Sequence, residues 1–204
     1  TGDVDSERLT VERLRQKTFA ENAPGGVRSV ALEPMTAPRG AKLMRPIDPH
    51  PFVPSDPATL SARCAEIFEI QTAGLARRWE HTGADKLILG LSGGLDSALA
   101  LIVATRTCGL LGRSRRSVLA VSMPGFGTSA KTRSLAQRLA TNAGVTFREI
   151  DIRAACERHL HDIGLSRKDR SVAFENAQAR ERTQVLMDLA NMEKGLVVGT
   201  GDLS

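Results

Sequence analysis

From residue 86 onward the chain alternates short apolar runs with amphipathic stretches, and this alternation restricts the fold more than any other feature. KLILGL (86–91), SVLAVSMP (117–124), VTFREIDI (145–152) and LVVGTG (196–201) have the length and apolar content of strands. LDSALALIVATR (95–106), SAKTRSLAQRLATNAG (129–144), RAACERHLHDIG (153–164) and ENAQARERTQVLMDLANMEKG (175–195) carry helical spacing. Strands and helices in this order predict an α/β fold, a Rossmann-like doubly wound parallel sheet covered on both sides. A further helix is expected over ATLSARCAEIFEIQTAGLARRWEH (58–81), opened by Ser55 or Asp56 with Pro57, with Leu60, Cys64, Ile67, Ile70 and Leu75 at helical spacing.

The first 57 residues have a different texture. Residues 1 to about 20 read as a helix, with Val11, Leu14 and Phe19 among charges. The segment from Asn22 to Pro57 holds eight of the nine prolines and resists a regular assignment, so it reads as a linker or an arm lying over another domain. A structureless stretch of that length is uncommon inside one domain, which puts a boundary near residue 57. The expected organisation is an arm over 1–57 and an α/β domain over 58–204. The chain stops just past a strand, where a covering helix would normally follow, and begins with half a domain's worth of linker; the expectation is a fragment of a longer protein.

Composition excludes several classes. With 41% apolar and 25% charged residues, 204 residues suffice for one core, and no apolar run reaches membrane-span length. The first residues lack the apolar core of a secretion signal, so a cytoplasmic address is expected. Cys64, Cys108 and Cys156 are far apart and read as reduced thiols. His159 and His161, two apart in a helix, sit on different faces and read as surface residues rather than metal ligands. The net charge of +5 is scattered among acids, Tyr is absent and Phe and Trp are few. Stacking platforms for nucleic acid are therefore missing, and a small anionic substrate such as a nucleotide accounts for the charge.

The chemistry concentrates in Ser92-Gly93-Gly94-Leu95-Asp96-Ser97, which joins the strand KLILGL to the next helix. A strand, a tight turn and a helix N-terminus present unpaired amides at the positive end of the helix dipole. Gly93 and Gly94 keep side chains away from an approaching phosphate, and Ser92 and Ser97 add hydroxyl donors. Neither a Walker A loop nor a GxGxxG fingerprint is present. Asp96 would repel a phosphate unless a divalent cation lay between them, which argues for Mg²⁺ bridging carboxylate and phosphate oxygens.

SGGLDS resembles the signature of the PP-loop ATP pyrophosphatases, whose adenine nucleotide alpha-hydrolase type of sheet is the doubly wound one expected here. Phe174 to Thr183 (FENAQARERT) and Val198 to Ser204 (VGTGDLS), with the PGF at 124–126 and PFVPSDP at 51–57, resemble the synthetase domain of the glutamine-dependent NAD⁺ synthetase family. The resemblance runs through nearly the whole chain and is most specific from residue 51 on. It implies that ATP adenylates the nicotinate carboxylate of deamido-NAD⁺, releasing pyrophosphate, and that ammonia derived from glutamine then displaces AMP. It further implies that Gly90, Leu91, Ser92, Gly93, Gly94, Leu95, Asp96 and Ser97 hold ATP phosphates. Asp96 would carry the metal ion, and Ser92 and Asp96 would stabilise the transition state. Thr200 matches a family threonine that contacts ATP, while Asn176 and Arg180 match positions that contact deamido-NAD⁺. The arginine is not uniform across the subfamilies.

The resemblance also implies a nitrilase-like glutaminase domain before residue 1, with residues 1–57 as its tail and linker, and a second acidic Mg²⁺ site beyond Ser204. None of the three cysteines would then be the glutaminase nucleophile, and the 204 residues alone would bind ATP weakly and turn over little. The full-length parent is expected to be a homo-oligomer. Alternatives on the residues alone are another PP-loop adenylating enzyme or a non-catalytic ATP-binding module. A lesser alternative for Arg180 and Arg182 is the charged face of a helix whose Val185, Leu186, Leu189 and Ala190 face the core. Met123 and Phe126 fit either an adenine pocket or core packing.

Overall fold

The computed structural model describes residues 5–16, 30–31, 44, 50, 52–166, 168–169 and 171–199. Two compact units divide at Asp56 and Pro57. In the first, helix α1 (Ser6–Arg15) starts where Asp5 accepts a hydrogen bond from the Arg8 amide at 2.9 Å. Glu7 in its first turn and Arg13 and Arg15 in its last complement the helix dipole. The part of the expected arm between Lys17 and Pro51 lies almost wholly outside the described residues, as do Thr200 and the end of the VGTGDLS motif.

The second unit runs in chain order α2 (Pro57–Thr82), β1 (Lys86–Gly90), α3 (Leu95–Leu110), β2 (Val118–Ser122), α4 (Ala130–Ala143), β3 (Thr146–Glu149), α5 (Arg153–Asp162), α6 (Val172–Met192) and β4 (Gly195–Val197). All pairings are parallel, and the sheet order is β3-β2-β1-β4. The chain therefore builds outward from β1 in one direction and returns to its other side, which is the doubly wound arrangement. Register is fixed by pairs such as Leu89 with Ala120 and Ile88 with Val197.

Side chains alternate across a strand, so the central strands β1 and β2 feed two cores. Leu87, Leu89, Leu91, Val118 and Ala120 join Trp79 of α2, Leu101, Ala104 and Cys108 of α3 and Ala136 and Ala140 of α4 on one face. Ile88, Leu119, Val121 and Met123 join Cys156 of α5 and Leu189 and Ala190 of α6 on the other. Both faces of β1 and β2 are covered, as their apolar runs require, while the edge strand β3 is largely exposed.

Helix α2 buries a different stripe from the one its apolar spacing marks. Thr72, Ala76 and Trp79 are buried, whereas Cys64, Ile67 and Ile70 are exposed. The small residues at 72 and 76 admit α3 closely, and the Thr72 hydroxyl is satisfied by the Phe68 carbonyl at 2.7 Å. At the other end of the sheet Glu193 accepts from Lys86 at 2.5 Å, a bond that holds its carboxyl below the usual range. His159 and His161 are exposed, and among the described residues no cluster of three metal-ligating side chains forms and no helix is long and apolar enough to cross a membrane.

Candidate functional site

The phosphate-cradle motif lies at the carboxyl end of β1, beside the carboxyl end of β2, where open parallel sheets bind ligands. The ladder runs one residue past β1, since the Leu91 amide donates to the Val121 carbonyl at 2.8 Å. The chain then turns through Gly93, whose φ is +83°, and enters α3 with Gly94 as N-cap. The first amide with an acceptor inside the helix is that of Ala98, on the Gly94 carbonyl at 3.1 Å. The amides of Leu95, Asp96 and Ser97 thus have no intrahelical partner, and they carry the positive end of the α3 dipole.

The two serines act on the loop itself. Ser97 is 3% exposed, donates to the Gly94 carbonyl at 3.0 Å and accepts from the Ser92 amide at 3.3 Å. With its proton so engaged, the Ser97 hydroxyl is the acceptor in its 3.1 Å contact with Ser92 Oγ, which in turn accepts from the Gly94 amide at 3.2 Å. Ser97 thus ties the cradle loop to the start of α3. Ser92 is exposed at the loop surface, and so is Asp96 in the first turn of α3.

Gly93 is required twice over. Its positive φ disfavours any side chain, and a Cβ there would lie 2.8 Å from the Thr132 carbonyl oxygen of α4. Gly93→Ala is expected to cost about 2 kcal/mol in urea unfolding through the strained φ and the displaced α4, and to weaken nucleotide binding with it. An unchanged midpoint would show that the loop and α4 separate freely.

Beside the cradle opens a cleft of about 740 Å³, within the size range of small-molecule sites. Gly90, Leu91 and Ser92 line its floor, and Met123, Pro124, Phe126 and Thr128 of the loop after β2 form one wall. Thr132 and Arg133 of α4 and Glu175, Gln178, Arg182 and Leu186 of α6 complete it. Arg133 is paired with Glu149, its Nε donating at 3.1 Å. Met123 and Phe126, open between pocket and core on sequence grounds, do both: Met123 is nearly buried and each lines the cleft.

Gly90, Leu91 and Ser92 thus face the cleft, while Gly93, Gly94, Leu95, Asp96 and Ser97 form the adjoining turn and helix start. Asn176 and Arg180 are not brought to it. Both are exposed and neither is among its lining residues, although Glu175 and Thr183 of the same helix are, and at ~100° per residue Asn176 projects beside Thr183. Of the two arginines on this helix, Arg182 reaches the cleft and Arg180 does not. Thr200 follows β4 outside the described residues. Gln178, Arg182, Arg133 and Thr128 were not singled out by the motif; the available signal was the four-residue spacing of Phe174, Gln178 and Arg182.

The comparisons with known proteins agree with this architecture. The chain is 43% identical over 214 aligned residues to the glutamine-dependent NAD(+) synthetase of Mycobacterium tuberculosis, and 44% to that of Mycobacterium leprae. Each alignment covers 99% of this chain, and the chain spans 31% of the length of these relatives. Among solved structures, a glutamine-dependent NAD+ synthetase from Acinetobacter baumannii in complex with ADP superposes with a TM-score of 0.62 at 33% identity, over 68% of this chain and 26% of that one. An NMN synthetase from Francisella tularensis gives 0.59 at 26% identity, over 68% and 54%. The NAD synthase family model matches residues 67–204, so the chain belongs to the NAD synthase family.

Proposed function

We propose that the protein carrying this chain is a carbon–nitrogen ligase that makes NAD⁺ from deamido-NAD⁺, ATP and ammonia. The observation that carries this reading is the set of helix-start amides at Leu95–Ser97, behind a glycine turn and next to a nucleotide-sized cleft. A nicotinate carboxylate oxygen attacks the α-phosphorus of ATP. The bond to the β-phosphoryl oxygen breaks and pyrophosphate leaves. Ammonia then attacks the acyl carbon, and AMP departs as the amide forms. Negative charge grows on the leaving pyrophosphate, and amides fixed before the reaction stabilise it without reorganisation. Holding two substrates in line supplies much of the remaining acceleration.

Mg²⁺ would be held beside the cradle by Asp96. Its exposed carboxylate suits an ion that keeps most of its ligands as water and phosphate oxygens. When bound, the ion would neutralise phosphate charge next to Asp96. Asn176 and Arg180, exposed on the helix that carries Glu175 and Thr183 at the cleft, are proposed as contacts to deamido-NAD⁺. Thr200 is proposed as an ATP contact on the motif match alone. Glutamine as the ammonia source rests on the named relatives, of which this chain spans under a third. Exposed Ile67, Ile70 and Ile102 favour an oligomer, and three unpaired thiols favour the cytoplasm.

The test is NAD⁺ formation by the full-length protein supplied with ATP, Mg²⁺, ammonium and deamido-NAD⁺. AMP, pyrophosphate and NAD⁺ are expected in equal amounts. The likeness to an NMN synthetase makes the mononucleotide acid the substrate to run in parallel. Preference for the mononucleotide would retain the chemistry and overturn the substrate.

A further inference from the structure

We infer that Gln178 is a positioning residue that latches the loop after β2 as the wall against which the nucleotide base is held; the inference rests on the reading of the cleft as the ATP site. Gln178 is 4% exposed although it lies on the helix face that lines the cleft. Its amide is consumed by the protein. Oε1 accepts from the Phe126 amide at 3.1 Å, and Nε2 donates to the Phe174 carbonyl at 3.4 Å. Exchanging the two amide atoms would set a donor against the Phe126 N–H and an acceptor against a carbonyl, so the orientation is determined.

The rest of the loop is built around this bond. A Cβ at Gly125 would lie 2.6 Å from Gln178 Oε1 and 3.0 Å from Arg182 Nη2, so a side chain at 125 would push the glutamine amide out of the latch. Arg182 Nε donates to the Met123 carbonyl at 3.4 Å, and the Pro124 carbonyl accepts from the Ile152 amide at 3.2 Å on the α5 side. The Phe126 ring stacks on Phe174 with centroids 5.5 Å apart. The peptide from 123 to 126 is therefore pinned from α6 and from α5. It presents Met123, Pro124 and Phe126 to the cleft, while the phosphate cradle is held separately by Ser92 and Ser97.

This separation gives the latch its signature: loosening it should affect the base end of a nucleotide and leave the phosphate end alone. The experiment is calorimetric binding of ADP and of inorganic pyrophosphate to the full-length protein and to Gln178→Met, Gly125→Ala and the double variant. Gln178→Met keeps the length of the side chain and removes both bonds; Gly125→Ala keeps the glutamine and pushes its amide off the Phe126 N–H. Each is expected to weaken ADP about tenfold, the scale of one buried hydrogen bond, with pyrophosphate unchanged within about twofold. The double variant should be no worse than either single one, because both break the same contact. ADP affinity unchanged in the single variants, or ADP and pyrophosphate weakened together, would overturn the latch while the nucleotide reading stands. A wild-type protein that binds neither probe would overturn the nucleotide reading and the latch with it.

Discussion

Asp96→Ala in the full-length protein is expected to lower deamido-NAD⁺-dependent pyrophosphate release by about 10²- to 10³-fold, the scale of losing one preorganised electrostatic contact at a developing charge. The side chain is exposed in the first turn of α3, so its removal opens no cavity. An acid at that position also stabilises the helix end, by about 0.3–1 kcal/mol, and only that much stability should go with it. Asp96→Asn separates shape from charge. It should fail nearly as badly, because an amide cannot hold a divalent cation against phosphate as a carboxylate does. Activity within a few-fold of wild type in both variants would reduce Asp96 to a helix-capping charge.

Trp79→Ala should be the most destabilising single change in the second unit, at about 3–5 kcal/mol in urea unfolding. The side chain is 0% exposed and packs among Leu87, Leu89, Leu101 and Cys108. Its indole N–H donates to the Ala84 carbonyl at 2.8 Å, and the Arg113 guanidinium lies 4.4 Å from the ring centroid. Arg113 Nη1 reaches the same carbonyl at 3.0 Å. One residue thus joins the end of α2 to the approach to β1 and to the turn after α3. Trp79→Phe keeps most of the buried area and leaves Ala84 with the arginine alone, so it should cost about 1–2 kcal/mol. A loss below about 1 kcal/mol for Trp79→Ala would mean that α2 is dispensable to this core.

The sheet was legible because its strands are short apolar runs and its helices are amphipathic, two periods that do not mimic one another. KLILGL and SVLAVSMP feed opposite cores with alternate residues, as Leu87 and Leu89 on one face and Ile88 on the other demonstrate. Helix α2 was legible as a helix but not in its orientation. Its most apolar stripe is largely exposed, and the contact with α3 is made through Thr72 and Ala76, whose value is their small size. Thr107 meets them there, with its hydroxyl on the Val103 carbonyl at 2.8 Å. Threonines satisfied by their own helix can be buried at little cost, a fact that hydropathy does not encode.

The cradle announced itself because all its parts are contiguous: strand, glycines, acid and helix start fall within a dozen residues. The remainder of the cleft did not, because it is assembled across sequence. Gln178 finds Phe126 across 52 residues and Arg182 finds Met123 across 59. What each hydroxyl bonds to within the loop is likewise decided by geometry alone. Ser92 and Ser97 are equivalent donors in the sequence, yet burial commits Ser97 to the Gly94 carbonyl.

The adenylation claim meets its most direct test in pyrophosphate release by the full-length protein with ATP and Mg²⁺ before any ammonia is added. The predicted result is a burst of pyrophosphate that requires deamido-NAD⁺ and vanishes in Asp96→Ala; release indifferent to deamido-NAD⁺, or no release at all, would contradict it.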